Sequence, residues 1–292
     1  MSIVVTGASG HLGRLTVESL LERGVPASEI TATARAVDRL HDLAERGVTV
    51  RAADYTDSAS LRAAFHGADR LLLVSSHLVP DRVAQHRNVI EAAREAGVSL
   101  LAYTSIVNAG TSGILIAADH VATEALIVDS GLPFVLLRNS WYNENYTASI
   151  PTYLERGTVI GSAGAGLVSA AARADYAEAA AEVLTGQGHE NRVYELGGDP
   201  AFTLAQLAAE ITRQSGTAVH YADLSEADHV SALTVAGMPQ AFAQVMADAD
   251  QGIARGDLHT DSGDLVRLLG RPTTPLAATI AAALQVPAAP RQ

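Results

Sequence analysis

The sequence predicts an α/β protein built around a doubly wound parallel sheet, and three observations support this prediction. Short, almost continuously apolar runs recur through the first half of the chain, as is typical of parallel strands buried on both faces. Longer helical patterns separate these runs, which indicates a sheet covered by helices on both sides. A glycine-rich turn joins the first strand to the first helix. Together these features predict a Rossmann-like fold.

The elements of this sheet follow one another in a regular order. The predicted strands are 3–5, 29–34, 48–50, 71–75, 100–104 and 134–138. The helices predicted among them are 11–23, 37–46, 58–65, 80–96 and 117–129. Gly24, Gly97 and Gly131 follow three of these helices, where a helix end favours a residue that tolerates positive φ.

The pattern loosens after residue 150. A strand in "TVIGSAG" and a helix over 174–184 predict one further strand–helix unit, and a strand over 192–196 is a candidate to return to the main sheet. The remaining predicted helices are 203–215, 226–236, 240–254, 262–269 and 275–284. We therefore divide the chain into a Rossmann domain over residues 1–150 and a smaller, mostly helical lobe over residues 151–292.

The composition excludes several classes of function. The chain has 292 residues, a formal net charge of −12 and no cysteine, so disulfides, thiolate catalysis and zinc–sulfur sites are ruled out. The acidic balance argues against nucleic acid and anionic membranes as partners. No apolar run reaches the roughly 18 residues of a membrane span. The sequence "MSIVVTG" leads directly into an apolar strand with no room for a signal peptide, so we expect a cytoplasmic protein.

The glycine-rich turn carries the first functional signal. Gly7, Gly10 and Gly13 have the spacing G-x-x-G-x-x-G between a strand and a helix. Such a turn lets the backbone approach a pyrophosphate at the N-terminus of a helix. We therefore predict a dinucleotide site here, the alternative being a strand–helix turn without a ligand.

The end of the second strand selects the cofactor. An acidic residue there accepts the ribose 2′-hydroxyl of NAD, whereas an arginine accommodates the 2′-phosphate of NADP. Arg35 occupies this position, 22 residues after Gly13. We predict NADP(H), the alternative being that Arg35 is a solvated surface residue.

Polar residues also follow the next three strands. Asp54 follows the third strand, where a carboxylate can meet the adenine amino group, although the same stretch suits a helix cap with Asp57 as the better cap. The residues that end the fourth and fifth strands are Ser75, Ser76, His77, Thr104 and Ser105. Because ligands of open α/β sheets bind outside the carboxyl ends of the strands, we expect these side chains to line the nicotinamide end of the cofactor.

Several segments together carry a resemblance to a known family. They are "TGASGHLG", "RAADYTD", "QHRNVIEAAREAGV", "YTS" and "TEALIVDSGLPFVLLRNSWYNENY", followed by "GHENRVYELGGD", "TLAQLAAEITRQSG" and "LLGRPTTPL". The chain resembles the NmrA-like atypical short-chain dehydrogenase/reductases, most closely the bacterial NADPH:quinone oxidoreductases of the second type, with triphenylmethane reductase as a sister group. This resemblance implies an enzyme that transfers hydride from NADPH to a quinone-like or other electron-poor conjugated acceptor.

The resemblance also implies a set of site residues. Those expected to bind the cofactor are Gly7, Ala8, Ser9, Gly10, His11, Leu12, Arg35, Ser75, Ser76, His77, Asn139, Ser140, Trp141, Tyr142 and Asn143. Trp141, Tyr142, Asn143 and Tyr146 would line the substrate cleft between the lobes. An aromatic cluster suits a small, flat aromatic substrate, the alternative being that it only cements the contact between the lobes.

Two positions depart from the pattern of the superfamily. Most of its reductases resemble one another in a Tyr-x-x-x-Lys pair on the helix after the fifth strand, and the tyrosine protonates a carbonyl oxygen. Aligned on "SGLPFVLLR", these positions are Ile116 and His120. The missing pair disfavours a ketoreductase or an epimerase and leaves no certain catalytic residue, with His120 and Tyr142 as candidates.

His120 and Glu124 stand four residues apart and share a helix face. We expect a hydrogen-bonded pair that steadies the helix or touches the nicotinamide ribose. A metal role is disfavoured, because a third ligand is missing and "HVATE" lacks the His-Glu-x-x-His pattern. A second class of function stays open: a non-catalytic NADP(H)-binding redox sensor of the NmrA-like type, which also fits the missing pair. The sequence shows no signature of an oligomer.

Overall fold

A seven-stranded parallel sheet forms the centre of the protein in a computed structural model that describes residues 1–76 and 81–285. Its strands are β1 (Ile3–Val5), β2 (Ile30–Ala34), β3 (Thr49–Ala52), β4 (Arg70–Leu73), β5 (Leu100–Ile106), β6 (Phe134–Asn139) and β8 (Arg192–Leu196). They lie in the order β3-β2-β1-β4-β5-β6-β8, and every neighbouring pair is parallel. The strand order reverses between β1 and β4, which is where open α/β sheets bind ligands.

Helices cover both faces of this sheet. In chain order, the helices of the described residues, including those of the C-terminal lobe, are α1 (His11–Glu22), α2 (His41–Glu45), α3 (Ser58–Phe65), α4 (Arg82–Ala96), α5 (Ala117–Asp129), α6 (Glu144–Thr147), α7 (Ile150–Arg156), α8 (Arg173–Thr185), α9 (Leu204–Ser215), α10 (Glu226–Val235), α11 (Gln240–Arg255), α12 (Asp264–Leu269) and α13 (Leu276–Gln285). Helices α1, α8 and α12 pack together over one face, and α3, α4 and α5 pack over the other. The predicted doubly wound fold is confirmed.

The last strand of the sheet comes from far along the chain. Strand β8 pairs with β6, so the segment over 192–196 does return to the main sheet. Helix α8, just before it, packs on α1 through a buried alanine-rich face. Residues beyond 150 therefore contribute to both the sheet and the remaining lobe, and the division of the chain at residue 150 stays a proposal.

The C-terminal lobe has its own small sheet. Strand β7 (Thr158–Gly161) lies outside the main sheet and pairs in parallel with β9 (His220–Asp223), which the sequence analysis did not predict. The predicted strand in "TVIGSAG" and the predicted helix over 174–184 are both present, as β7 and α8 (Arg173–Thr185). Helices α6, α7, α9, α11 and α13 surround a second hydrophobic core beside this sheet.

Smaller differences concern the ends of helices. The predicted helix over 37–46 is a 3₁₀ turn over Val37–Leu40 followed by α2. The predicted helix over 80–96 begins outside the described residues, and α4 starts at Arg82. Within the described part of the chain, no helix combines the length and apolarity needed to cross a bilayer.

Candidate functional site

The glycine-rich turn between β1 and α1 is built for a close backbone approach. Gly7 has a φ of +61°, and its carbonyl oxygen accepts the Gly10 N–H at 2.9 Å. A Cβ at Gly13 would lie 2.6 Å from that same oxygen, so a larger residue would push α1 away from the turn. No acidic side chain occupies the first turn of α1, whose partial positive charge is therefore available to an anion.

A hydrogen-bond network below the turn fixes three strand ends. The Thr6 hydroxyl lies 2.5 Å from the Tyr55 hydroxyl and accepts the Val74 N–H at 3.0 Å. The Tyr55 hydroxyl donates to the Val74 carbonyl at 2.9 Å. These bonds join the residues that follow β1, β3 and β4, and Val74 and Tyr55 both lie within 4 Å of the position that a Cβ at Gly7 would take.

Arg35 and Asp54 lie at the ends of neighbouring strands β2 and β3. The Arg35 side chain is exposed immediately after β2. Hydrogen bonds from the Thr56 N–H and hydroxyl to Oδ1 of Asp54, with the positive charge of Arg35 adding to them, hold the pKa of Asp54 below its usual range. Asp57 caps α3 by accepting the N–H groups of Ala59 and Ser60, as predicted.

The polar residues that end β4 and β5 are linked to each other. The Ser75 N–H donates to the Thr104 hydroxyl at 2.8 Å. Ser105 turns away, because its buried hydroxyl donates to Glu124 at 2.5 Å. The predicted contribution of His77 lies outside the described residues.

A buried histidine holds the backbone at Ser76. The Ser76 N–H donates to Nε2 of His86 at 3.0 Å, so the ring proton lies on Nδ1, which is 2.9 Å from the Thr123 hydroxyl. Burial, together with the positive charge of Arg82, lowers the pKa of His86 to about 3. Arg82 donates two further bonds to the Ser76 carbonyl at 3.1 and 2.8 Å. A neutral imidazole and a guanidinium thus fix the chain at the end of β4.

The expected pair between His120 and Glu124 does not form. Nδ1 of His120 lies 2.8 Å from the Tyr103 hydroxyl, and burial lowers the pKa of His120 well below 6.5. Glu124 instead accepts two bonds from Arg138, at 2.9 and 2.6 Å. This part of the sequence prediction is wrong because a fork-shaped guanidinium from β6 outcompetes the histidine for the buried carboxylate.

The residues that follow β6 fasten this edge of the sheet to the C-terminal lobe. The Ser140 N–H donates to the Leu196 carbonyl, and its hydroxyl donates to the Leu258 carbonyl, both at 2.8 Å. Ser140 was predicted to contact the cofactor, yet both of its donors are already used within the protein. Asn139 is also buried, and its Oδ1 has no partner among the described residues.

Trp141, Tyr142 and Asn143 run alongside the segment before α8. Tyr142 forms an isolated bridge with Ala171, and its ring stands edge-on to Tyr176 with centroids 5.4 Å apart. The Arg173 guanidinium lies 4.9 Å from the centre of the Tyr142 ring, within range of a cation–π contact. Tyr142 packs against the core of the main sheet and Trp141 against the second hydrophobic core, so this segment lies between the two cores.

Ile116, Trp141 and Tyr146 all pack against the second hydrophobic core. Ile116 is half-buried, so an apolar side chain occupies the position of the missing tyrosine. Tyr146 is only 6% exposed, and its hydroxyl has no hydrogen-bond partner among the described residues. The ring of Tyr146 stands edge-on to Phe202 at a centroid distance of 6.0 Å.

Several buried polar atoms have no hydrogen-bond partner, and those of Thr33, Ser76 and Asn139 lie at or just after the carboxyl ends of β2, β4 and β6. Within residues 1–76 and 81–285, six buried side-chain atoms lack a hydrogen-bond partner: Thr33 Oγ1, Ser76 Oγ, Arg82 NH1, Asn139 Oδ1, Asn143 Oδ1 and Tyr146 OH. Ser76, Asn139 and Asn143 belong to the predicted cofactor residues. Because buried polar groups are normally satisfied, the atoms at the carboxyl ends of the strands fit a polar ligand there.

Sequence reasoning missed two residues of this region. Thr33 faces the glycine turn, since its carbonyl accepts the Ala8 N–H at 2.9 Å while its hydroxyl stays unpartnered. The sequence did indicate this position, because Thr33 is the second threonine of "ITATA", a polar residue near the end of an otherwise apolar strand. Arg173 gave no signal, because only the fold brings it over Tyr142.

Two other features lie apart from the glycine turn. A cavity of about 550 Å³ is lined by residues of the C-terminal lobe such as Phe202, Gln206 and Leu276, and it includes none of the predicted cofactor residues. Among the described residues, no group of three or more histidine, aspartate or glutamate side chains is arranged to hold a metal ion.

Comparisons with known proteins agree with this geometry. Residues 7–187 match a family model described as NAD(P)H-binding. Quinone oxidoreductase 2 of Escherichia coli is 51% identical over 278 residues, which cover 95% of this chain and 97% of the relative. The crystal structure of the Escherichia coli NADPH-dependent quinone oxidoreductase complexed with NADPH matches with a TM-score of 0.94 and 50% identity, covering 97% of this chain and all of that one. Triphenylmethane reductase of Citrobacter sp., complexed with NADP(H), matches with a TM-score of 0.92 and 38% identity over 97% of this chain and all of that one.

Proposed function

The chain belongs to the NAD(P)H-binding family that includes these reductases, and from this membership we propose that it is an NADPH-dependent quinone oxidoreductase. The predicted resemblance to NmrA-like reductases is confirmed. The acceptor is a small molecule. The following observations support the proposal that this acceptor is quinone-like.

The residues proposed to bind the cofactor lie at the carboxyl ends of the strands of the main sheet. The glycine turn, Gly7 to Gly13, would hold the pyrophosphate against the N-terminus of α1. Arg35 would contact the 2′-phosphate, because it is exposed at the end of β2 and engaged in no ion pair among the described residues. The unpartnered atoms of Ser76, Asn139 and Asn143 would contact the nicotinamide half, with Thr104 beside them. When bound, NADPH supplies the hydride.

The apolar side chain at Ile116 is the observation that favours a quinone. Hydride addition to a ketone leaves an alkoxide, whose conjugate acid is roughly as weak as water, near 15.7. Hydride addition to a quinone leaves a phenolate-like anion whose conjugate acid has a pKa of about 10. The difference corresponds to about 7–8 kcal/mol of charge stabilisation that the protein does not have to supply. A chain without the tyrosine therefore suits quinones better than ketones.

The remaining work of the protein is to position the acceptor. Trp141 and Tyr142 offer aromatic surface between the lobes, and aromatic pairs contribute about 0.5–1.5 kcal/mol each beyond simple burial. Asn143 is buried, and its side-chain oxygen Oδ1 has no hydrogen-bond partner among the described residues. Tyr146, three residues later, is also buried and has an unpartnered hydroxyl. These four residues would hold a flat ring against the nicotinamide and exclude water.

Turnover with a panel of acceptors tests this function. Purified protein is mixed with NADPH and with quinones, simple ketones or cationic triphenylmethane dyes, and the loss of NADPH absorbance is followed. We expect turnover with quinones and a much lower rate with ketones. Ketone turnover as fast as quinone turnover would contradict the argument from the reduced anion.

A non-catalytic redox sensor is the second candidate, since the missing Tyr–Lys pair also fits it. It is not favoured, because the relative that matches nearly the whole chain at 51% identity is a quinone oxidoreductase. Tight NADPH binding without turnover of any acceptor in the same panel would instead support the sensor.

A further inference from the structure

The chain leaves the main sheet after β4 along a segment whose backbone is held by side chains. The N–H groups of Val74 and Ser75 donate to threonine hydroxyls just after β1 and within β5, at 3.0 and 2.8 Å. The next N–H, that of Ser76, donates to Nε2 of His86 on α4 at 3.0 Å. Backbone N–H groups that have left a sheet lose their ladder partners, so each of them needs another acceptor. His86 is the acceptor that α4 supplies.

Contacts on both ring nitrogens fix the orientation of His86. Because Nε2 accepts the Ser76 N–H, the ring proton lies on Nδ1, which is 2.9 Å from the Thr123 hydroxyl. That hydroxyl in turn donates to the Asp119 carbonyl at 2.8 Å. The imidazole also stands edge-on to the ring of Tyr103, at a centroid distance of 5.5 Å. A directed chain of hydrogen bonds therefore runs from the end of β4 through α4 to α5, and each donor in it has an acceptor.

The imidazole of His86 accepts this N–H only while it is neutral. The residue is fully buried, and burial, together with the positive charge of Arg82, lowers the pKa of His86 to about 3. Arg82 itself donates two bonds to the Ser76 carbonyl, at 3.1 and 2.8 Å. The peptide groups on either side of Ser76 are therefore both held, one by a neutral ring and the other by a guanidinium.

The hydroxyl of Ser76 is left for a ligand. Its Oγ is buried and has no hydrogen-bond partner among the described residues, whereas the N–H and the carbonyl of the same residue are both used. Ser76 lies shortly after β4, beside the point where the strand order reverses between β1 and β4. Ligands of open α/β sheets bind at such a point, outside the carboxyl ends of the strands. A shift of the backbone here would move the hydroxyl relative to a bound cofactor.

Resting on the cofactor site of the proposed function, we propose that His86 is a positioning residue for the nicotinamide half of NADPH and acts through Ser76. It accepts the Ser76 N–H and so holds the Ser76 hydroxyl where the cofactor can bond to it. His86 does not contact the cofactor itself, because its ring is fully buried and both of its nitrogens are used. The adenine half of the cofactor, proposed to lie near Arg35, does not depend on it.

The test separates the two halves of the cofactor. NADPH and adenosine 2′,5′-bisphosphate, which lacks the nicotinamide half, are titrated into the wild-type protein and His86→Leu in a calorimeter, without any acceptor. We expect His86→Leu to bind NADPH about tenfold more weakly, the effect of one lost hydrogen bond, and to bind the bisphosphate as the wild-type protein does. Equal weakening for both probes, or an unchanged affinity for NADPH, would overturn the proposal.

Two further variants show whether the imidazole acts as an acceptor. His86→Gln carries a side-chain oxygen as many bonds from Cα as Nε2, and it should restore most of the affinity for NADPH. His229→Leu is the matched control, since it removes another buried, hydrogen-bonded imidazole, in the C-terminal lobe, and should bind NADPH as the wild-type protein does. A glutamine variant as weak as His86→Leu, or an equal loss in the control, would contradict the assigned role.

Ser76→Ala keeps the proposal testable if His86→Leu folds poorly. It removes a hydroxyl that has no partner, so its melting temperature without cofactor should not fall, while NADPH binding should weaken about tenfold. The double variant should bind NADPH no more weakly than the weaker of the two single variants, because both changes act through the same hydroxyl. Full affinity in Ser76→Ala, or losses that multiply in the double variant, would show that His86 does not act through Ser76.

The outcomes distinguish this inference from the proposed function, because the binding experiments need no acceptor. A wild-type protein that binds NADPH in the expected way but reduces no quinone would overturn the proposed function alone. Quinone turnover by the wild-type protein, with NADPH binding that is unchanged in His86→Leu, would overturn the positioning role alone.

Discussion

The replacement of Asp250, a buried residue of α11, by asparagine tests the titration of its carboxyl group without any cofactor or substrate. Asparagine has nearly the same shape and keeps an oxygen to accept the Ser162 N–H, but it carries no charge. The variant therefore removes the buried charge while leaving the packing of α11 against β7 almost unchanged. The difference in stability between the two proteins then reports the cost of ionising Asp250.

The magnitude follows from the two pKa values. The carboxyl has a pKa of 3.8 in the unfolded chain and of about 6 in the folded protein. A folded-state pKa above the unfolded value means that the contribution to stability is fully present below pH 3.8 and is lost as the pH rises through about 6. The free energy of unfolding of the wild-type protein should therefore fall by about 3 kcal/mol relative to Asp250→Asn between about pH 4 and about pH 7.

The assay is urea denaturation of both proteins across this pH range. Because all other groups titrate in both proteins, their effects largely cancel in the difference, apart from those of His229 and Asp223, which interact with Asp250. A difference in the free energy of unfolding that stays constant with pH would refute the raised pKa of Asp250.

Three further substitutions test other parts of the structure. Arg35→Ala should weaken NADPH binding about tenfold to a hundredfold while leaving NADH binding unchanged, because only the 2′-phosphate contact is lost. The control is Arg46→Ala, which lies before β3, at the amino ends of the strands. Equal loss of affinity for both cofactors, or the same loss in the control, would contradict this assignment. Gly13→Ala should lower the free energy of unfolding in urea by about 1–3 kcal/mol and weaken binding of either cofactor, because the new Cβ meets backbone atoms of the glycine turn. An unchanged free energy of unfolding would show that the turn can shift freely. Arg138→Met should cost about 3–5 kcal/mol of unfolding free energy at neutral pH, because Glu124 stays buried without its partner, and a loss below about 1 kcal/mol would mean that water reaches this carboxylate.

The main sheet could be predicted because its strands are buried on both faces. Runs such as "LLLVS" and "LLAYT" leave little alternative to a central parallel strand, and glycines mark the turns between the elements. Strand β9 could not be predicted in this way. Its sequence "HYAD" is short, half-exposed and polar, and it forms a strand only because β7 lies beside it.

The site residues were predicted from sequence position at the ends of strands, which carries no information on tertiary contacts. Ser76, Asn139 and Asn143 lie at or shortly after strand ends and each has an unpartnered buried atom, and their contact with the cofactor stays a prediction. The pairing of His120 with Glu124 was inferred from helix geometry alone, which contains no information about Arg138 on the neighbouring strand. The hydrogen bond between the Ser162 N–H and Asp250 joins residues 88 positions apart, so local patterns carry no trace of it.

The late arrival of β8 has a consequence for synthesis on the ribosome. Strand β6 is complete at Asn139, but its neighbour begins only at Arg192, after α6, α7, β7 and α8 have been added. During that interval the outer edge of β6 exposes unpaired N–H and C=O groups, which is the kind of edge that recruits strands from other chains. Strong overproduction should therefore promote aggregation of partly translated chains through this edge. Chaperone binding to ribosome-held chains should be strongest while residues 140–196 are being translated.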